Sequence, residues 1–126
     1  MTKSLALIIE DDLQLGQIFA LTLDSEFETE LIADGDLAFK RLAECIPTLV
    51  VLDYNLPGKS GGEILKHIRA DERLAKTKVI IATADSNQYV LLQDIADIAM
   101  LKPVSPIQLR ELAFRLHSGQ GHNARK

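Results

Sequence analysis

Thr48-Leu49-Val50-Val51-Leu52, followed by Asp53-Tyr54-Asn55-Leu56-Pro57-Gly58-Lys59-Ser60-Gly61-Gly62, decides the fold of this chain. The first five residues read as a central strand, and the ten after them as a loop rich in turn-formers. Upstream, residues 5–9 (LALII) form a second uninterrupted apolar run, the mark of a strand buried on both faces. Residues 12–24 carry Leu15, Ile18, Phe19 and Leu23 at helical spacing. Residues 29–33 form a weaker strand, expected at a sheet edge. Asp34-Gly35-Asp36 then supplies turn and cap chemistry for a helix with Ala38, Phe39, Leu42 and Ile46 on one face, stopped by Pro47. Downstream, the pattern predicts a helix over 63–72, a strand over 78–82, a helix over 86–95 and a last strand over 98–101. A final helix follows, with Pro106 in its first turn and Leu109, Leu112, Ala113 and Leu116 inward. Five strands alternating with five helices imply an α/β, doubly wound parallel sheet, with strand order 2-1-3-4-5 the common solution at this length.

The chain has 126 residues, enough for one domain, expected over 1–118 with a flexible polar tail over 119–126. A net charge of −4 argues against nucleic acid as a direct partner. No apolar run approaches the ~18 residues of a membrane span, and no signal-peptide pattern precedes the first strand. Cys45, the only cysteine, leaves no intramolecular disulfide and reads as a small hydrophobe packed on a helix; a reducing cytoplasm fits. His67, His117 and His122 have no ligand-spaced partners and read as solvated.

In the parallel sheet this pattern implies, Glu10-Asp11-Asp12 follows the first strand, Asp53 the third, Thr83 the fourth and Lys102 the fifth. All are carboxyl ends, so residues from four segments converge where open α/β sheets bind ligands. Massed carboxylates repel: a like pair at 4 Å costs about 4 kcal/mol at an effective dielectric near 20. Such a cluster needs a cation, and hard oxygen donors with few protein ligands suit Mg²⁺ or Mn²⁺. Asp53 is then placed to act as a nucleophile toward a phosphoryl group. Lys102, the Thr83 hydroxyl and the Ala84 N–H are the donors for charge on the transferred oxygens. Asp11 and Asp12 also suit a helix N-cap, and capping alone is the simpler role for Asp12.

Leu7-Ile8-Ile9-Glu10-Asp11-Asp12, Val51-Leu52-Asp53-Tyr54-Asn55-Leu56-Pro57, Ala82-Thr83-Ala84 and Leu101-Lys102-Pro103 resemble, in order and spacing, the four signature blocks of bacterial response-regulator receiver domains, across residues 4–117. The resemblance implies the flavodoxin-like (βα)5 receiver fold and a role in two-component signalling. It implies Asp53 as phosphoacceptor and Glu10 and Asp11 as the acidic pair, with Asp11 the more direct metal ligand. The Asn55 backbone carbonyl becomes a third protein ligand, Thr83 the switch hydroxyl and Lys102 the site lysine, with a cis bond to Pro103. Pro57 and Gly61 fall in the loop pattern. The implied donor is a histidine kinase or histidine phosphotransfer protein. The implied output surface is the face of the fourth helix, fifth strand and fifth helix (residues 86–117), serving a downstream target, an output domain or a weak dimer. The chain departs from the family at Ala99, where an aromatic residue is usual, and at Val104, where Phe is common. Tyr89 is the nearby candidate to replace the lost bulk.

Three other readings compete with this one. A phosphorylation-independent interaction module on the same fold is favoured by Ala99 but has no need of Asp53, Asp11 and Lys102 together. An aspartyl phosphatase of the haloacid-dehalogenase type needs a second acid two residues after its nucleophile, where this chain has Asn55. A flavodoxin-like redox protein needs a Ser/Thr/Gly-rich phosphate loop where this chain has three acids.

Overall fold

The computed structural model describes residues 3–119. Five strands, β1 (Ser4–Ile9), β2 (Phe27–Ile32), β3 (Leu49–Asp53), β4 (Lys78–Thr83) and β5 (Ile98–Leu101), alternate with five helices. The helices are α1 (Leu13–Leu23), α2 (Gly35–Glu44), α3 (Gly61–Ala70), α4 (Ser86–Leu92) and α5 (Pro106–Ser118). The sheet is parallel throughout, in the expected order β2-β1-β3-β4-β5, with β2 at an edge.

Alternation along each strand splits the core between two layers of helices. Leu7, Ile9, Val50, Leu52, Val79 and Ile81 meet α2, α3 and α4 on one face. Ala6, Ile8, Leu49, Val51 and Ile80 meet α1 and α5 on the other, through Phe19, Leu23, Leu109, Ala113 and Leu116. Because both faces are covered, the inner strands read as unbroken apolar runs.

Several expected details shift. Ile18 and Ile46 are exposed, not buried. Helix α1 has apolar residues around most of its circumference, so spacing does not single out the inward face, which is Gly16, Phe19 and Leu23. Helix α2 ends at Glu44 and Cys45 is extended (φ −146°, ψ 168°), which carries Ile46 off the helical face. Cys45 is half-buried, with its thiol donating to the Arg41 carbonyl. Helix α3 starts two residues earlier than its apolar spacing suggests, because Ser60 and Glu63 form a reciprocal capping box. It ends at Ala70, and a 3₁₀ turn over Glu72–Leu74 follows. Helix α4 stops at Leu92, three residues short of expectation. His117 is more than a solvated surface residue. Its ring lies 4.7 Å from that of Phe27, and Nδ1 is 3.0 Å from a Glu26 carboxylate oxygen, because the last turn of α5 lies over the α1–β2 connection. His67 stacks on Phe39 at 4.6 Å. Gly119 closes α5 in the left-handed conformation (φ 83°). His122 and the rest of the expected tail, residues 120–126, lie outside the described residues. No helix among the described residues is long and apolar enough to cross a membrane.

At the end of the sheet opposite the carboxyl edge, Asp97 acts as a clasp. Its carboxylate accepts the Val79 N–H at 2.8 Å and Arg69 Nη2 at 2.7 Å, and Arg69 also donates to the Ile95 and Thr77 carbonyls. The Asp97 side chain is only 11% exposed, so these charge-assisted bonds are partly sheltered from water. Asp97→Ala leaves the Val79 N–H without its acceptor and the Arg69 guanidinium without its counter-charge, holding only the Ile95 and Thr77 carbonyls. Denaturant unfolding is expected to show a loss of about 2–3 kcal/mol. A loss below about 0.5 kcal/mol would assign the clasp no role beyond an ordinary surface ion pair.

Candidate functional site

The carboxyl ends of β1, β3, β4 and β5 build the site. Parallel pairing puts Ile9 beside Leu52, so the next residues, Glu10 and Asp53, stand side by side. The Glu10 N–H is fixed by the Ile32 carbonyl at 3.0 Å. Asp53 of β3 pairs with Ala82 of β4, Thr83 of β4 pairs with Leu101 of β5, and the Lys102 N–H donates to the Thr83 carbonyl at 2.9 Å.

Glu10 and Asp53 are buried (6% and 4% exposed), and Asp11 is exposed. One carboxylate oxygen from each lies within 4.8 Å of the others. Lys102 Nζ is 2.6 Å from Asp53 Oδ1. The Asn55 N–H also donates to Asp53 Oδ1, at 3.2 Å. Glu10 Oε2 accepts the Asp12 N–H at 3.2 Å, while Asp12 caps α1 by accepting from the Leu15 N–H, the role expected of it. Burial raises the Glu10 pKa from 4.5 to about 7, and the negative charge of Asp53 adds to the rise against the lowering effect of the Asp12 N–H. Three carboxylates face one ammonium, so full ionisation leaves a formal excess of negative charge. With only hard oxygen donors converging, the cluster is compatible with Mg²⁺ or Mn²⁺.

Thr83 is fully buried, and its Oγ1 accepts the Asp85 N–H at 3.1 Å; Asp85 in turn caps α4 through the Asn87 and Gln88 N–H groups. Ala84 follows Thr83 and is exposed. The Lys102–Pro103 peptide is cis. Gly61 packs where a Cβ would overlap the Asp53 carbonyl oxygen and come within 2.6 Å of Tyr54 Cα, and its N–H donates to the Tyr54 carbonyl at 2.8 Å. Pro57 lies in the β3–α3 loop, its carbonyl accepting the Gly35 N–H at 2.9 Å. Val104 and Ala99 pack against opposite core layers, and Tyr89 is half-buried in α4. Sequence reasoning passed over two residues. Asp85 was legible as a cap residue immediately before Ser86. Gly35 was read only as part of a turn.

Residues 6–114 match the family model of the response regulator receiver domain. The chain is 34% identical over 105 residues to the DNA-binding response regulator MtrA of Mycobacterium tuberculosis, covering 82% of this chain and 46% of that protein. It is 30% identical over 107 residues to the phosphate regulon transcriptional regulatory protein PhoB of Escherichia coli, covering 82% and 47%. The chain thus spans about half the length of these curated relatives. Among solved structures, the signal receiver domain of a LuxO repressor protein from Vibrio parahaemolyticus superposes with a TM-score of 0.81 at 26% identity, covering 98% and 95% of the two chains. The chemotaxis response regulator CheY4 of Vibrio cholerae shares the fold, with a TM-score of 0.82 at 24% identity over 91% and 99%. With the family match spanning nearly all of the sheet and its helices, the chain belongs to the response regulator receiver domains of two-component systems.

Proposed function

We propose that this receiver is a phosphorylation switch in which Asp53 takes a phosphoryl group from a phosphohistidine donor, a histidine kinase or a histidine phosphotransfer protein. The observation that carries the reading is the 2.6 Å contact of Lys102 with Asp53 inside a cluster of three carboxylates. An Asp53 oxygen bonds to phosphorus as the phosphorus–nitrogen bond to the donor imidazole breaks, and the imidazole leaves with the electron pair. Asp11, Asp53 and the Asn55 carbonyl, with Glu10 behind them, would hold Mg²⁺ or Mn²⁺, which supplies charge neutralisation and orients the incoming group. Lys102 offsets charge on the transferred oxygens, and the exposed Ala84 N–H is a second donor.

Thr83 links the site to an output surface. Its hydroxyl has a proton of its own to donate. Turning toward a phosphoryl oxygen takes Oγ1 away from the Asp85 N–H, the cap residue of α4. Phosphorylation would in this way bias the α4 end of the α4–β5–α5 face, shifting an equilibrium between two arrangements. MtrA is named as a DNA-binding response regulator; for this chain, the downstream partner is a protein or output domain reading that face.

Incubation with acetyl phosphate and Mg²⁺, followed by intact mass, tests the reading: wild type takes up one phosphoryl group and Asp53→Asn takes none. Lys102→Ala is expected to slow uptake by about 10²–10³-fold. Equal uptake by wild type and Asp53→Asn would move the acceptor elsewhere.

Glu10 makes the metal-free protein pH-sensitive in a defined direction. Its carboxyl titrates near 7 when folded, against 4.5 as the ordinary value, so the folded state holds the proton more tightly. Stability is then lost as pH rises from about 4.5 through about 7, because the folded state must give up a proton that the unfolded state has already shed. Melting temperatures without metal are expected to fall across that window more steeply in wild type than in Glu10→Gln. Added Mg²⁺ is expected to restore more stability at about pH 8 than at about pH 5. Identical pH profiles for the two proteins would remove Glu10 from the charge balance.

A further inference from the structure

The loop after Asp53 rests on a backbone platform made by the start of α2. The Gly35 N–H, one of the four that an α-helix leaves without an internal acceptor, donates to the Pro57 carbonyl at 2.9 Å. Gly35 is buried against the backbone of Lys59: a Cβ would overlap the Lys59 carbonyl oxygen and lie 2.6 Å from its carbon and 2.7 Å from its nitrogen. One residue on, Asp36 packs against Gly58, where a Cβ would come within 3.0 Å of the Asp36 Cγ, and Gly58 is left-handed (φ 75°). The neighbours of Gly35 are main-chain atoms of Lys59, so side-chain rotation cannot relieve a clash there. The other end of the loop is closed by Gly61 against Asp53 and Tyr54. Residues 54–60 are therefore held at both ends, and Asn55 lies two residues before the Pro57 anchor.

We propose that Gly35 is a positioning residue for the phosphorylation site: it sets the height of the β3–α3 loop and thereby aims the Asn55 carbonyl and the Asp53 carboxylate at one divalent cation. The inference rests on the proposed function, since it assigns the loop backbone a metal-binding task. A methyl group at position 35 displaces Lys59 and Pro57, and the displacement passes along two residues to Asn55. Its signature is weakened metal binding out of proportion to lost stability.

The test is Mg²⁺ titration of the purified, unphosphorylated chain by calorimetry, comparing wild type, Gly35→Ala and Leu116→Ala. Leu116→Ala empties a core position on α5, away from the loop, and serves as a control for stability alone. Gly35→Ala is expected to weaken Mg²⁺ binding by about tenfold or more, in the range for residues that orient ligands from behind. Its acetyl phosphate uptake should slow at low Mg²⁺ and recover at high Mg²⁺. Leu116→Ala is expected to melt earlier with its Mg²⁺ affinity unchanged. A folded Gly35→Ala protein that binds Mg²⁺ within about twofold of wild type would overturn the inference. If Gly35→Ala does not fold, Gly58→Ala pushes on the same platform from the loop side, and Gly58→Ala/Asp36→Ala removes the group it strikes. Weakened Mg²⁺ binding in the single variant, partly restored in the double, supports the inference, and wild-type affinity in the single variant overturns it. Absence of Mg²⁺ binding by wild type would instead defeat the functional reading beneath it.

Discussion

Side-by-side parallel pairing of β1 and β3 is the constraint on which the rest of the molecule depends. It sets Ile9 beside Leu52, and so places Glu10 next to Asp53 where the sheet ends. A slip of either strand by one residue would exchange its two core faces, sending Leu7 and Ile9, or Val50 and Leu52, away from α2, α3 and α4 to the α1–α5 layer. The apolar pattern that stabilises the sheet thus also brings two buried acids into contact. The site inherits its geometry from the core, and its charge problem with it.

That charge problem is solved locally, by different means for each acid. Asp53 has Lys102 at 2.6 Å and the Asn55 N–H at 3.2 Å. Glu10 has the Asp12 N–H, which does not outweigh burial and the neighbouring carboxylate, and its pKa is raised to about 7. Asp11 remains in solvent. A proton on Glu10 and a divalent cation are alternative ways of lowering the same electrostatic cost, so under the proposed function the two would compete. Thr83 extends the network to the first turn of α4 through Asp85, and the platform under the β3–α3 loop extends it to α2.

The layout of the sheet and the convergence of Glu10, Asp11, Asp53 and Lys102 were legible because both follow from unbroken apolar runs alternating with helical spacing, and from where each run ends. The finer placements depend on contacts between distant segments. Ile18 points outward because α1 is apolar nearly all round, and periodicity cannot rank its faces. Ile46 leaves its helix one residue after an extended Cys45. The true start of α3 was written in Ser60 and Glu63, but apolar spacing drew attention to later residues. His117 gains Glu26 and Phe27 as neighbours only once α5 lies across the α1–β2 connection. Gly35 looks like any turn glycine until Lys59 is seen against it.

A crystal structure of the chain grown with Mg²⁺ and beryllofluoride tests the central claim most directly. One Mg²⁺ ion is expected with oxygen ligands at about 2.0–2.1 Å, drawn from Asp11, Asp53 and the Asn55 carbonyl. Beryllofluoride is expected on an Asp53 oxygen, with Lys102 on a fluoride. A structure with no ion among these residues, or with the fluoride adduct on another side chain, would contradict that claim.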